Sequence, residues 1–209
     1  MKKVYNVQGR KNCVFFRGVK MDKELLKYKN DIDFKGWYSV VKPIVNSKEF
    51  KKRKLMKHHD ESVYEHSVAV SFNSYKMATK RKRDEFFCYN CAIAGLLHDF
   101  YPRAWQYSES LKLLGPSYSA RFSDKKNNRD LHGFTHARDA LINARKYYKE
   151  FLTPQIEDAI LRHMFPLNPY PPKYIEGWYV TFSDKFVSFK NFPSLKELPK
   201  YVGINVYKK

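Results

Sequence analysis

The chain has 209 residues and 43% of them are hydrophobic, which is enough for one domain that buries roughly 70% of the unfolded surface and excludes intrinsic disorder. Its 40 Lys plus Arg against 21 Asp plus Glu give a formal charge of +19, which favours anionic partners such as phosphate esters, nucleotides, nucleic acid or an anionic membrane face. No apolar run approaches the roughly 18 residues of a membrane span, and three cysteines are too few for a disulfide framework. We therefore expect a cytoplasmic protein.

Residues 1–50 are predicted to form an N-terminal arm and a first helix that pack on the main body. Strand-like signals are confined to Cys13–Phe16, and Asp31 or Asp33 is a candidate cap for a helix through Trp37. Pro43 predicts a kink or a boundary in that helix. Residues 51–209 form the main body, and we expect one compact domain overall.

The rest of the chain has helical periodicity, which predicts an all-α fold. A helix that begins at residue 61 or 62 and runs to about residue 80 places His66 on a stripe with apolar residues. The segment Phe86–Leu97 is apolar on nearly all sides, which indicates a central buried helix, and it ends at His98 and Asp99.

The later elements follow a predicted connection. Residues 100–130 contain several Pro and Gly residues and a polar run, so they are predicted to be mobile and are the natural candidate for a lid. Helices are then expected from His132 to Tyr148, from a Thr153 cap through His163, and from Glu176 to Phe189. Between the last two, Pro166–Pro172 predicts a rigid extended segment.

A set of histidines and aspartates is distributed over these helices at long intervals: His66, His98, Asp99, His132, His163 and Asp184. A helical bundle can bring such side chains together in its core. Any one of the histidines alone is more often a hydrogen-bonded core or surface residue, and Asp184 could be a surface carboxylate. Because a carboxylate inside an apolar helix is costly to bury without a cation, the joint arrangement favours a transition-metal site.

Further donors lie near this set. His136 follows His132 by one helical turn; His132 is favoured as the ligand, and His136 is a possible additional ligand or a residue that orients one. His58 and His59 follow a basic run and are expected on the surface or near the rim of the cleft. Cys88 and Cys91 lack the second cysteine pair that a zinc site of this type needs, so they are expected to pack on the buried helix.

Five segments carry a resemblance to a known family: SVYEHS at 62–67, AGLLHD at 94–99, LHGFTH at 131–136, HMFPL at 163–167 and DK at 184–185. They resemble the HD-domain superfamily of metal-dependent phosphohydrolases. Their residues are most similar to those of bacterial HD-domain proteins described only as phosphohydrolases. The resemblance covers about residues 55–190 and implies an HD-domain helical bundle. His132 and His163 are similar to the added ligands of the dinuclear branch. The paired histidines and Gly-Tyr-Pro signature of cyclic-dinucleotide phosphodiesterases are replaced by His163 alone and by Tyr170–Pro172 in another context.

The resemblance implies a dinuclear centre of two divalent transition-metal ions, whether iron, manganese, zinc, cobalt or nickel. One ion would be held by His66, His98, Asp99 and Asp184, and the other by Asp99, His132 and His163, so that Asp99 bridges them. The implied function is a hydrolase that cleaves a phosphate ester or anhydride of a nucleotide-like substrate through a metal-activated hydroxide. Expected catalytic residues are Asp99, His98 and Lys185, and candidate phosphate-binding residues are Lys185, Arg103, Arg138 and Arg162.

Two other functions remain open. Di-iron oxygenases of the same superfamily use a similar ligand set, and the chain could instead be a nucleic-acid-binding protein that uses the HD fold as a scaffold. The second alternative depends on the +19 charge and on the basic clusters 51–54 and 80–83. A generally solvated basic surface explains the same charge without any partner.

Overall fold

The computed structural model describes residues 21–58, 61–102 and 132–190, and within these ranges the fold is all-α with one two-stranded antiparallel hairpin. The helices are α1 (Lys23–Leu26), α2 (Phe34–Val45), α3 (Lys48–Lys51), α4 (Val63–Lys80), α5 (Glu85–Leu97), α6 (His132–Tyr147), α7 (Pro154–Arg162) and α8 (Ile175–Lys190). The strands are β1 (Lys57–His58) and β2 (Glu61–Ser62), and short 3₁₀ turns occupy Lys52–Leu55 and Lys149–Phe151.

Helices α4 and α5 form an antiparallel pair at the centre of the fold. The Ser62 hydroxyl accepts a hydrogen bond from the backbone of Glu65, whose carboxylate accepts one from the backbone of Ser62, so a capping box starts α4. The two helices approach closely at Gly95, where an added Cβ would lie 2.8 Å from the Ser71 Cα. Glycine is therefore needed at this position to keep the helices in contact.

The three C-terminal helices α6, α7 and α8 pack around α5, and α8 also packs on α4. A buried polar network ties them together, because Asn90 of α5 donates to Glu176 of α8 at 3.2 Å and accepts from Thr153 at 2.9 Å. Thr153 also caps α7 by accepting from the Ile156 backbone N–H. These contacts connect the middle of α5 to the starts of α7 and α8.

The N-terminal helices α1 to α3 cover the other side of α4 and α5. Helix α2 packs its apolar face on them, and the Trp37 indole donates to the Ser71 hydroxyl at 2.9 Å. Asp33 precedes α2 but its side chain makes no capping hydrogen bond, and Pro43 lies inside the helix instead of ending it. The predicted helix is thus confirmed, while the expected cap and boundary differ because tertiary burial of α2 outweighs these local signals.

The predicted helices after residue 60 agree with the structure to within one or two residues at each end. One expectation is wrong in part: in the segment Pro166–Pro172, predicted to be extended, residues 166 and 167 belong to a turn and 168 and 169 to a bend, so only residues 170–172 are free of turns and bends. Within the described ranges, no helix combines the length and apolarity needed to cross a membrane. The strand-like Cys13–Phe16, most of the N-terminal arm and residues 103–130 of the lid predicted over 100–130 lie outside the described residues.

Candidate metal centre

Five helices bring histidine and aspartate side chains to one buried point. His66 lies one turn into α4, His98 and Asp99 follow the last residue of α5, His136 lies in the second turn of α6, His163 follows α7 and Asp184 lies in α8. Each of these side chains belongs to a residue that is at most 9% exposed. The chain therefore folds into a helical protein with a buried His/Asp cluster that could bind metal ions.

One half of the cluster surrounds the Oδ2 atom of Asp99. The His98 Nε2 lies 3.5 Å from this oxygen and the His66 Nε2 lies 4.0 Å from it. Asp184 closes the same half, because its Oδ1 is 3.0 Å from the His66 Nε2 and 3.7 Å from the His98 Nε2. Two imidazoles and two carboxylates thus point at a common space.

The other half surrounds the second oxygen of the same carboxylate. The Asp99 Oδ1 lies 3.5 Å from the His136 Nε2 and 3.7 Å from the His163 Nε2, and these two nitrogens are 3.1 Å apart. Each oxygen of Asp99 therefore faces a different group of ring nitrogens. A carboxylate in this position can bridge two cations.

Backbone hydrogen bonds set the orientation of the imidazoles. The Nδ1 of His98 lies 2.8 Å from the Gly95 carbonyl, and the Nδ1 of His163 lies 2.8 Å from the Ile160 carbonyl. Because a carbonyl only accepts, both Nδ1 atoms carry a proton, and in the neutral form of each ring the Nε2 atom presents a lone pair to the cluster. This is the tautomer that a metal-binding histidine needs.

The separations between donor atoms fit a shared cation. Two nitrogen ligands bound at about 2.1 Å to one ion lie roughly 3.0–3.4 Å apart, whereas an N–H···O hydrogen bond is usually about 2.7–3.2 Å long. The 3.5 Å from Asp99 to His98 and to His136 is longer than such a bond and close to a ligand–ligand separation. Among the described residues, the buried His98 Nε2 and Asp99 Oδ1 have no hydrogen-bond partner, and a cation would satisfy both.

The histidines around Asp99 and Asp184 keep both carboxylates ionised. Burial alone raises the pKa of Asp99, but the surrounding imidazoles, His98 first, more than compensate and hold the pKa below its usual range. Asp184 behaves in the same way: burial acts to raise its pKa, and the hydrogen bond with His66 and the electrostatic interaction with His98 lower it well below its usual range. Both side chains therefore present negative charge to the cluster.

Two of the imidazoles have shifted pKa values in opposite directions. Burial lowers the pKa of His163 to about 3, with repulsion from His98 and His136 as further causes, so this ring is neutral. Burial also acts to lower the pKa of His66, but Asp184 and Glu61 on either side of the ring raise it to about 10. The Nδ1 of His66 lies 3.2 Å from a Glu61 oxygen, so this carboxylate accepts the Nδ1 proton and orients the ring.

Two side chains donate hydrogen bonds to the backbone of the segment that follows Asp99. The fully buried Arg53 donates to the Tyr101 carbonyl at 3.1 Å and lies 3.9 Å above the Phe100 ring. Asn143 of α6 donates to the Phe100 carbonyl at 2.8 Å. These contacts fix the backbone that carries the dipeptide His98–Asp99.

The structure describes the side chain of only one of the two candidate histidines of α6. His136, the less favoured of the pair, is in the cluster, whereas His132 begins α6 and its side chain lies outside the described residues. His58, expected at the surface or the cleft rim, has a side chain only 16% exposed, and its Nε2 lies 3.5 Å from the Asp99 Oδ2. The feature of the sequence that points to His58 is its position eight residues before His66, because a hairpin between the two can fold His58 back onto the start of α4.

The candidate phosphate-binding residues are not brought together. The Lys185 amine lies 3.5 Å from the His163 carbonyl and 3.7 Å from Asp184, at the edge of the cluster. Arg162 instead pairs with Asp158 at 2.8 Å, and the 63% exposed side chain of Arg138 lies 3.7 Å from Asp139. Arg103 lies outside the described residues.

The two basic clusters differ in their environment. In the cluster 51–54, Lys51 and Lys54 contact Asp22 at 3.3 and 3.2 Å, Lys52 contacts Glu49 at 2.6 Å, and Arg53 is buried. These charges are largely compensated within the fold. The cluster 80–83 between α4 and α5 is exposed.

The cysteines of α5 are not part of the cluster. Cys88 and Cys91 are buried free thiols that pack with Ala78 and Tyr179, and burial raises the pKa of both. In the described part of the chain, the groups of residues that could hold a metal contain no cysteine. The expected packing role of these thiols is confirmed.

Comparison with known proteins does not extend this description. No protein-family model matches the chain, and neither a curated protein nor a solved structure is significantly similar to it. The functional argument therefore depends on the geometry of the site and on the motifs of the sequence.

Proposed function

We propose that the protein is an HD-type metal-dependent phosphohydrolase that cleaves a phosphate ester or anhydride of a nucleotide-like molecule at a dinuclear centre. The observation that carries the proposal is the position of Asp99, whose two oxygens each face a separate group of imidazole nitrogens at 3.5–4.0 Å. A carboxylate placed between two nitrogen groups is the arrangement that a bridging ligand of two ions requires.

The residues divide into two ligand groups in this proposal. His66, His98, Asp99 and Asp184 would hold one ion, and Asp99, His136 and His163 the other, with His132 as a further predicted donor. Imidazole and carboxylate donors without thiolate suit iron, manganese, zinc, cobalt or nickel. When bound, such a pair of ions lowers the pKa of a water molecule and offsets the negative charge of phosphoryl oxygens.

The protein itself would orient the substrate. Lys185 is the cationic side chain nearest to the cluster among the candidates placed by the structure, and its amine can donate to a phosphate oxygen. The buried carbonyls of Gly95 and Ile160 keep His98 and His163 in the tautomer that exposes Nε2. The formal charge of +19 favours the approach of an anionic substrate.

A panel of phosphate monoesters, dinucleotides and nucleoside polyphosphates, assayed with manganese or cobalt, tests the proposal. We expect phosphate or nucleotide release by the parent protein and its loss in Asp99→Ala. Asp33→Ala is the matched control, because Asp33 lies beside Lys76 and Lys80 around a groove at the other end of α4. Undiminished activity in Asp99→Ala would contradict the assignment of Asp99 to the active site.

The same donor set is also suited to a di-iron oxygenase, so the assay is repeated without oxygen. Hydrolysis that persists anaerobically with manganese supports the phosphohydrolase, because that reaction needs no dioxygen. If no phosphate substrate turns over but the iron-loaded protein consumes oxygen, the proposal is replaced by the oxygenase.

A further inference from the structure

The hairpin β1–β2 carries a seventh residue to the cluster. His58 pairs with Glu61 across the hairpin, and the backbone N–H of Val63 donates to the Met56 carbonyl at 2.8 Å, which ties the hairpin to the first turn of α4. Met56 is fully buried and anchors the start of β1. The position of His58 is therefore fixed by the same backbone that positions His66.

The ring of His58 stacks on that of His66, with centroids 3.9 Å apart and planes inclined by 22°. Its Nε2 lies 3.5 Å from the Asp99 Oδ2, the same distance at which His98 faces that oxygen. This separation is longer than an ordinary hydrogen bond and close to that of two ligands on one ion. His58, Glu61 and His66 also form a group whose ligand atoms lie within 4.8 Å of one another.

We propose that His58 is an additional metal ligand, which binds through Nε2 the ion held by His66, His98, Asp99 and Asp184. The proposal deepens the proposed function, since it rests on the same metal centre. It makes the hairpin part of the site: β1 and β2 would be ordered by the metal as well as by their contacts with α4. The ion in this half would have one donor from the hairpin besides the four named above, whereas among the described residues of the hairpin none faces the other half.

The test measures cobalt binding by the full chain, without substrate. Metal-free parent, His58→Gln and Lys57→Ala proteins are titrated with Co²⁺ in competition with a chelator, and the visible absorption of the bound cobalt is recorded. Lys57→Ala is the matched control, because Lys57 is the exposed neighbour of His58 in β1. Far-ultraviolet circular dichroism of the metal-free proteins verifies that each variant is folded.

We expect His58→Gln to bind one of two cobalt ions at least about ten-fold more weakly, with a changed absorption spectrum, since loss of groups around a metal typically costs about 10–100-fold in affinity. The second ion should keep its parental affinity, which shows within the same titration that the fold is intact. Lys57→Ala should match the parent. If His58→Gln binds both ions with parental affinity and spectrum, His58 is not a ligand.

Failure of this proposal is distinct from failure of the proposed function. A parent that hydrolyses phosphate substrates while His58→Gln keeps parental cobalt binding removes His58 alone from the site. A parent that binds two cobalt ions, loses one in His58→Gln and hydrolyses no phosphate substrate supports the ligand but overturns the phosphohydrolase.

Discussion

At the scale of single residues, the chemistry of the site follows from where protons and lone pairs lie. Asp99 and Asp184 are ionised although buried, because imidazoles surround them and hold their pKa values low. Backbone carbonyls accept hydrogen bonds from the Nδ1–H groups of His98 and His163, so in the neutral rings the Nε2 atoms present lone pairs to the cluster. Such a concentration of donors is expensive to bury unless a cation joins them, which is the physical reason to assign a metal to it.

Lys185 is predicted to contribute to substrate binding but not to metal binding. Its amine lies at the edge of the cluster, and the side chain is 36% exposed. Replacement by alanine should raise KM for a phosphate substrate about ten-fold or more, because a hydrogen bond to a charged group is worth about 1.5–3 kcal/mol. The metal content should be unchanged. Steady-state kinetics and metal analysis of Lys185→Ala, beside the exposed control Lys149→Ala, test this; an unchanged KM would contradict it.

At the scale of elements, most of the helices could be predicted because local signals and burial agree. Thr153 caps α7 as expected, α4 begins at Val63 after its Ser62 cap, and the apolar run before His98 is the central helix α5. The position of His136 in the cluster could not be predicted from the sequence, because the rotation of α6 against α5 and α7 decides which of its side chains faces the cluster. The position of His58 beside Asp99 could not be predicted either, because two-residue strands leave no periodic signal.

A larger side chain at Gly95 should destabilise the packing of α4 against α5. A Cβ there would lie 2.8 Å from the Ser71 Cα and 3.0 Å from its backbone nitrogen, so the helices must separate. We expect Gly95→Ala to lower the free energy of unfolding by about 1–3 kcal/mol, although alanine is the better helix former, and to weaken metal binding because the Gly95 carbonyl orients His98.

Gly36→Ala is the matched control for that substitution. Its added Cβ would meet the hydroxyl end of the Tyr75 side chain, which can rotate away, whereas the backbone at Ser71 cannot. Thermal or urea unfolding of both variants compares the two positions. Equal stability changes at Gly95 and Gly36 would show that the close approach of α4 and α5 is not required.

At the scale of the whole molecule, acidic residues of the N-terminal layer compensate part of the high positive charge. Asp22 accepts a hydrogen bond from the Tyr64 hydroxyl at 2.9 Å and contacts Lys51 and Lys54 at 3.3 and 3.2 Å. It thereby joins the chain before α1 to the 51–54 region and to α4. Burial acts to raise the pKa of Asp22, but the hydrogen bonds from Tyr64 and Lys54 and the nearby charges lower it overall.

This lowered pKa predicts a pH-dependent contribution to stability. A carboxylate with a depressed pKa in the folded state stabilises the fold above its unfolded value near 3.8, and this stabilisation is lost as the pH falls through the folded pKa. Asp22→Asn should therefore be less stable than the parent at pH 7, and the difference should shrink towards pH 3. Urea unfolding at both pH values measures it, with the exposed Glu150→Gln as control. A difference that does not shrink would contradict the assignment.

The central claim concerns the metal centre, and metal content per chain tests it most directly. Mass spectrometry on protein purified anaerobically without an affinity tag should give about two equivalents of transition metal for the parent and for Asp33→Ala. Asp99→Ala should lose them, because Asp99 faces both halves of the cluster. A parent protein with no transition metal and no capacity to bind added metal would contradict the account.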